Sequence, residues 1–303
     1  MHAGVSRPGA TIEAMRLLAT ADLHFDHPRS RPLAIELIDQ INARCAAGDI
    51  DALLLVGDTA RGDGDSLEAA LAMVRFAGPR LFVAGNHELW TLSADTRHLL
   101  HAELPRRVRA AGWRWLQDEP FRSPDGVAIV GSIGWYDYSF APADLGIPNR
   151  YYEAKISPGV AERLEPIRHL VRGDESPAAM QIIARWNDGR FVRLGQSDTS
   201  FLDDLLAQLD RELSRAADAR RVVCAVHHVP FPELLPPRHG AQWDFARAYL
   251  GSGEIGQTIT GHENVSHVFC GHSHFPMRAR IGHITAINIG SGYRQKHYEV
   301  VDL

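Results

Sequence analysis

Val83-Ala84-Gly85-Asn86-His87-Glu88 is an apolar run that stops in a glycine, a carboxamide, an imidazole and a carboxylate. Leu81, Phe82 and Val83 read as a short buried strand, and Gly85 as the residue that lets the chain turn at its end. A polar triplet placed there faces the crevice beyond the strand ends, where open α/β sheets build their sites. Taken alone the motif reads equally well as a tight turn. Its meaning depends on whether other parts of the chain bring partners to it.

Four further apolar runs end in the same way. Residues 15–20 run into Asp22-Leu23-His24, and residues 52–56 into Gly57-Asp58. Residues 221–226 run into His227-His228, and residues 265–270 into Gly271-His272-Ser273-His274. Helical patterns fill the first two gaps. From about Pro32, Leu33, Leu37, Ile38 and Ile41 share one face, and residues 67–76 form the second. Strand, helix, strand, helix, strand implies parallel pairing through helical crossovers, which delivers every strand end to one edge of the sheet. Residues 113–116 and 127–133 read as shorter, antiparallel-type strands. A helix is expected from Ser200, with Asp203 completing a capping box and Leu202, Leu205, Leu206, Leu209 and Leu213 as its apolar stripe. The tail, residues 279–301, reads as closing antiparallel strands around Gly282.

The polar clusters are metal-ligand chemistry. Alternation along an extended chain puts Asp22 and His24 on one side, and likewise His272 and His274, so each pair can grip one ion from two points. Carboxylate and imidazole donors suit Mn, Fe, Zn, Ni or Co better than calcium or magnesium. There are more candidate ligands than one ion uses, and the lone Asp58 can bridge two. Two ions about 3.5–4 Å apart clamp a phosphoryl group for in-line displacement and acidify a bridging water into a hydroxide nucleophile. His87 is then free to protonate the leaving oxygen or to stabilise charge on the phosphoryl group.

The ordered set Asp22-x-His24, Gly57-Asp58, Gly85-Asn86-His87-Glu88, His227-His228 and Gly271-His272-x-His274 resembles the calcineurin-like metallophosphoesterases, over about residues 15–290. The resemblance implies an α/β fold, a four-layer αββα sandwich with two mixed β-sheets flanked by helices, and a dinuclear centre at the strand ends. It implies one ion held by Asp22, His24, Asp58 and His274, and a second held by Asp58, Asn86, His227 and His272. It makes His87 the catalytic histidine, oriented by a nearby carboxylate, and favours His227 over the adjacent His228. The family's Asn-x-Gly-Ser turn has its counterpart at Asn288-Ile289-Gly290-Ser291, expected to be structural. This chain departs from the family after Asp58, where Thr59-Ala60-Arg61 replaces a usual second aspartate. Glu88 is left with two roles, orienting His87 or capping the helix that follows.

The remainder of the chain sets limits. The 303 residues suit one domain over residues 15–303, preceded by a flexible N-terminus at residues 1–14. Residues 135–199, aromatic and broken by Pro and Gly, read as an insertion that covers one side of the sheet edge, lid-like over a substrate pocket. Within it and beside it, Trp90, Trp135, Tyr136 and Tyr138 can either stack on a substrate ring or pack in the core. A formal charge of −5 argues against a nucleic-acid coat or a membrane-surface binder. Cys45, Cys224 and Cys270 stand singly in apolar surroundings, which suits a reducing compartment, and with no apolar stretch of membrane-spanning length a cytoplasmic protein is expected. The expected function is a metal-dependent phosphatase or phosphodiesterase acting on a small phosphorylated substrate. The alternatives are a nuclease of the same superfamily, against which the absence of basic runs counts, and a metal-binding scaffold without catalysis.

Overall fold

A computed structural model of the chain describes residues 14–92 and 95–303. The N-terminal stretch expected to be flexible lies, apart from Ala14, outside the described residues. Two mixed sheets form the centre. The first is built from β1 (Arg16–Thr20), β2 (Ala52–Val56), β3 (Arg80–Val83) and β4 (Arg114–Trp115), all parallel. The second contains β5 (Phe121–Arg122), β6 (Val127–Ser132), β7 (Arg221–Val226), β8 (Val265–Cys270), β9 (Met277–Ile281) and β10 (Ile284–Asn288). Within it β6, β7, β8 and β10 run parallel, while β5 and β9 close the edges antiparallel. The last strand, β11 (Tyr298–Asp302), returns to pair antiparallel with β1, completing the first sheet.

The inner strands β1, β2, β3, β6 and β7 are buried on both faces, as a sheet between layers must be. Alternate residues Leu17 and Ala19, Ala52, Leu54 and Val56, and Leu81 and Val83 meet Val127, Ile129, Val223, Ala225, Phe269 and Ile287 in the core between the sheets. The intervening residues, among them Leu18, Leu53, Leu55, Phe82, Val130 and Cys224, face the helices instead. On one side lies the helix Arg31–Ala46, burying Leu37, Ile38 and Ile41, with Ser66–Met73 beside it. On the other lies Asp198–Arg215, burying Leu202, Leu205, Leu209 and Leu213, with Gly253–Thr260 packed against it. This is the expected αββα sandwich.

Three local expectations are corrected. β4 and β6 pair parallel with β3 and β7, and in this stretch of the chain β5 with β6 is the antiparallel pair, because each of the parallel pairs is joined by a helical crossover long enough to bring the chain back to its starting end. The helix expected from Ser200 begins at Asp198. Its cap is Ser197, whose hydroxyl accepts the Ser200 N–H at 3.1 Å, so no capping box with Asp203 is needed. Residues 135–199 contain short helices, Asn149–Glu153, Pro158–Ala161, Pro177–Met180 and Asp188–Phe191, rather than irregular chain alone. Trp135, Tyr136 and Tyr138 from this stretch are buried in the core, and Trp135 and Tyr138 are tied to Asp198. They are packing residues.

Candidate metal centre

Because β1, β2 and β3 run parallel in one sheet and β7 and β8 in the other, their C-terminal ends converge at one edge of the sandwich. Backbone bonds stitch the loops that follow: Asp22 N–H donates to Gly57 O at 3.0 Å, His24 N–H to Asp58 O at 2.9 Å, and Gly271 N–H to His227 O at 3.1 Å. The Asp22 carboxylate joins the two sheets by accepting the His272 N–H at 3.0 and 3.1 Å. Gly85 and Gly271 make room rather than a turn. A Cβ on Gly85 would sit 2.2 Å from an Asp58 carboxylate oxygen, and one on Gly271 would sit 2.3 Å from that of Asp22.

Asp22, His24, Asp58, His272 and His274 all have positive φ, between 42° and 67°. Side chains of Asp22 and His24 therefore do share a side, but through left-handed backbone and not through strand alternation. Each such non-glycine residue costs on the order of 1–3 kcal/mol, and a cluster of them at one edge marks a place where the fold sacrifices stability for geometry.

The side chains meet in two groups that share Asp58. Asp22, His24, Asp58 and His274 form one, and Asp58, His227 and His272 the other, each close enough to surround a single ion. In the first, His24 Nε2 lies 2.9 Å from His274 Nε2, and Asp22 Oδ1 is 3.5 Å from the latter. In the second, His227 Nε2 is 3.3 Å from Asp58 Oδ1 and 3.2 Å from His272 Nδ1. The outer nitrogens are already committed. His227 Nδ1 meets Val56 O at 2.9 Å and His272 Nε2 meets Tyr249 O at 3.1 Å, contacts in which only a ring N–H can donate. In their neutral tautomers the inner nitrogens thus turn lone pairs toward each other.

Asn86 lines the same cleft as Asp58 and His272. Its Nδ2 donates to Asp188 at 2.9 Å, and its Oδ1 is buried without a partner. A buried carboxamide oxygen left bare in a residue lining that cleft fits a divalent cation, and the mixed oxygen and nitrogen donor set is that of a borderline metal. His228 stays outside both groups. Its Nδ1 meets Ile133 O at 2.9 Å, and burial, reinforced by the charge of His227, lowers its pKa to about 3. Burial works against protonation of His227 as well, but the adjacent Asp58 outweighs it and raises that pKa to about 9. Burial favours the neutral form of Asp58 in turn, yet His227 and His87 outweigh it and hold that carboxyl well below its usual range.

His87 sits at the cleft between the groups and Trp90. Its ring stacks on the Trp90 indole with centroids 3.6 Å apart and stands edge-on to His24 at 4.4 Å. Its Nε2 is 3.7 Å from Asp58 Oδ2, beyond hydrogen-bonding distance, so packing holds the ring where a carboxylate was expected to. Burial lowers its pKa, with Asp58, Asp188 and Asp26 opposing. Glu88 takes neither of its two expected roles. Its carboxylate accepts the backbone N–H groups of Asp58 (2.9 Å), Thr59 (2.7 Å), Ala60 (3.1 Å) and Gly85 (2.6 Å), locking the loops after β2 and β3 together. Burial and the charge of Asp58 push its pKa up to about 8, while the Gly85 and Ala60 N–H groups pull the other way.

Several participants carry no local signal in the sequence. Asp188, fully buried, accepts Asn86 Nδ2 and Trp90 Nε1 (2.7 Å) on one oxygen, and Trp186 Nε1 (2.7 Å) and Tyr136 OH (3.0 Å) on the other. Tyr293 stacks on His24 with centroids 4.4 Å apart, and Lys296 donates to the Asp22 carbonyl. Asn288 acts as the expected structural turn, donating to Gly271 O and Ser273 Oγ beneath the His272 loop. Arg61 is turned away from the cleft, paired with Asp63 at 3.0 Å. The cleft itself encloses about 310 Å³, and its walls include Asp58, Asn86, His87, His272 and His274 together with Arg185 and Trp186 from residues 135–199. Cys45, Cys224 and Cys270 are buried and unpaired, and no helix among the described residues is long and apolar enough to cross a membrane.

Comparison with known proteins agrees with this architecture. No curated protein matches the chain. Among solved structures, it is similar to a phosphopantetheinyl hydrolase from Mycobacterium tuberculosis (20% identity, TM-score 0.65, 93% of this chain and 91% of that one). It is also similar to a dimetal phosphatase from Danio rerio (14%, TM-score 0.52, 96% and 93%) and to the protein TT1561 of Thermus thermophilus (12%, TM-score 0.53, 95% and 99%). At such identities the likeness is one of fold. The calcineurin-like phosphoesterase family model matches residues 15–276, which spans most of the chain and every residue of the two clusters. The chain belongs to the calcineurin-like phosphoesterases.

Proposed function

We propose that this chain is a phosphoesterase of small phosphate monoesters or diesters that works with two divalent ions drawn from Mn, Fe, Zn, Ni and Co. The observation that carries the reading is the pair of imidazole nitrogens, His227 Nε2 and His272 Nδ1, facing each other at 3.2 Å, in a site whose cleft Asn86, with its unpartnered Oδ1, also lines. In their neutral tautomers these nitrogens are two lone pairs facing one another, and without an ion a proton on His227, favoured by Asp58, takes that place. Asp22, His24, Asp58 and His274 would hold one ion; Asp58, Asn86, His227 and His272 would hold the other. When bound, such ions supply Lewis acidity and an acidified water next to a phosphoryl group.

The protein's own part is orientation and proton handling. The Val56 and Tyr249 carbonyls set the tautomers of His227 and His272, and Asp188 fixes which atom of Asn86 faces the centre. His87, held by Trp90 at the cleft, is the residue that gives a proton to the leaving oxygen or stabilises charge building on the phosphoryl group. Residues 15–303 act as one domain, with residues 135–199 as an inserted wall of the substrate cleft. The three unpaired, buried cysteines support a reducing compartment, the cytoplasm.

The test is hydrolysis of an aryl phosphate and an aryl phosphodiester by Mn-loaded protein, before and after chelation. His87→Ala is expected to lower kcat by about 10²–10⁴-fold. If neither ester is turned over by the loaded protein and His87→Ala changes nothing, the reading is wrong and a non-catalytic scaffold replaces it.

A further inference from the structure

The cleft reaches well beyond the metal-facing atoms. About 310 Å³ falls within the ~300–1,000 Å³ that clefts for whole small molecules occupy, and is more than a phosphoryl group alone needs. Its far wall carries Arg185, Trp186, Trp243 and Arg247, and Asp58 is the only carboxylate among the described residues that line it. On a chain of net charge −5 that local balance is inverted.

Several guanidinium groups elsewhere in the molecule are answered by acids. Arg150 pairs with Asp174 and Glu175, Arg61 with Asp63, and Arg238 with Asp144 and Asp244. The two in the cleft are not. The Arg185 side chain makes no hydrogen bond or ion pair among the described residues. Arg247 donates Nη1 to the Pro236 carbonyl, while its Nε is buried without an acceptor. Asp244, whose charge acts on Arg247, is already engaged by Arg238 Nε at 2.8 Å and the His239 N–H at 3.2 Å. A buried guanidinium N–H without an acceptor is costly, and the planar fork of arginine is matched to phosphate and carboxylate oxygens. Beside this pair, Trp243 is 47% exposed, one of few large apolar side chains among the described residues left open to solvent.

We propose that Arg185 and Arg247 form a second anion subsite, so that the preferred substrate is a phosphate ester bearing another anionic group, phosphate or carboxylate, beyond the scissile phosphoryl. Trp243 covers the apolar segment that separates the two. This rests on the phosphoesterase reading for the position of the first phosphoryl group, and the test is chosen to stand apart from turnover. Mn-loaded protein is titrated calorimetrically with non-hydrolysable ligands: alkyl phosphonates, α,ω-alkane bisphosphonates and ω-carboxyalkyl phosphonates of matched chain length. At one chain length the two-headed ligands should bind at least about tenfold more tightly than the one-headed ligand, the scale of a charge-assisted hydrogen-bonded contact. Comparison of the bisphosphonate with the carboxyalkyl series identifies the second group. In Arg185→Gln, and in Arg247→Lys, which keeps the charge but loses the fork, the two-headed to one-headed affinity ratio should fall toward one. A ratio near one in the unmodified protein, or a ratio that survives both substitutions, overturns the subsite. Failure to hydrolyse any ester while the ratio holds would overturn the catalytic reading and leave the subsite standing.

Discussion

Asp188→Asn tests the reasoning about the centre most directly, because one buried carboxylate holds two walls of the cleft. Each of its oxygens accepts two donors, Asn86 Nδ2 and Trp90 Nε1 on one, Trp186 Nε1 and Tyr136 OH on the other. An asparagine keeps one acceptor oxygen and turns an NH₂ toward the other pair. Two hydrogen bonds to a charged acceptor are lost, at about 1.5–3 kcal/mol each, so about 3 kcal/mol or more of stability should go. The carboxamide of Asn86 responds in a specific way when the NH₂ faces it. It relieves the donor–donor clash by rotating, which puts its own Nδ2 where the bare Oδ1 had been and removes the ligand proposed for the second ion. Loss of a partner that orients a ligand lowers metal affinity by about 10–100-fold. The assay is urea unfolding together with calorimetric titration of Mn or Zn, where affinity for one of two ions should fall. Tyr136→Phe is the control, since its hydroxyl meets the oxygen remote from Asn86. It should cost about 1.5–3 kcal/mol of stability and leave metal binding intact. A folded Asp188→Asn protein that takes up both ions with unchanged affinity would refute the argument.

Two further outcomes are expected. Glu88→Gln leaves two of four buried backbone N–H groups facing an amide, and at about 1–3 kcal/mol each it should lower stability by about 2–6 kcal/mol, read as an earlier urea midpoint. Glu175 reports on the inserted segment at low pH. Burial opposes its ionisation, but the Tyr151 hydroxyl, the Arg172 N–H and Arg150 outweigh it and hold its pKa below the ordinary 4.5. A depressed folded value means its contribution is complete above about pH 4.5 and lost as pH falls below that toward the folded value. Glu175→Gln should therefore flatten that part of the stability–pH curve, and an unchanged acid limb in thermal melts would show that the network contributes nothing.

The chemistry at the strand ends was legible in the residues themselves. Apolar runs ending in Asp22, His24, Asp58, Asn86, His87, His227, His272 and His274 can be read from short windows, and parallel strands joined by helices oblige those ends to converge. Burial on both faces also follows from the continuous apolar runs of β2 and β7. What no window contains is how each side chain is held. Glu88 lies within the opening motif, yet its four donors include three from the loop after β2, about thirty residues away. Asp188 reaches Asn86 across 102 positions, and Asp22 binds the His272 N–H across 250. Left-handed backbone at five cluster residues is equally hard to read, since Asp and His are enriched at positive φ yet adopt it in only a minority of places. Residue type and strand periodicity are local properties, and they suffice to say which donors reach the edge. Orientation, tautomer and the unanswered arginines of the cleft arise from contacts between remote segments, so they exist only once the chain has folded.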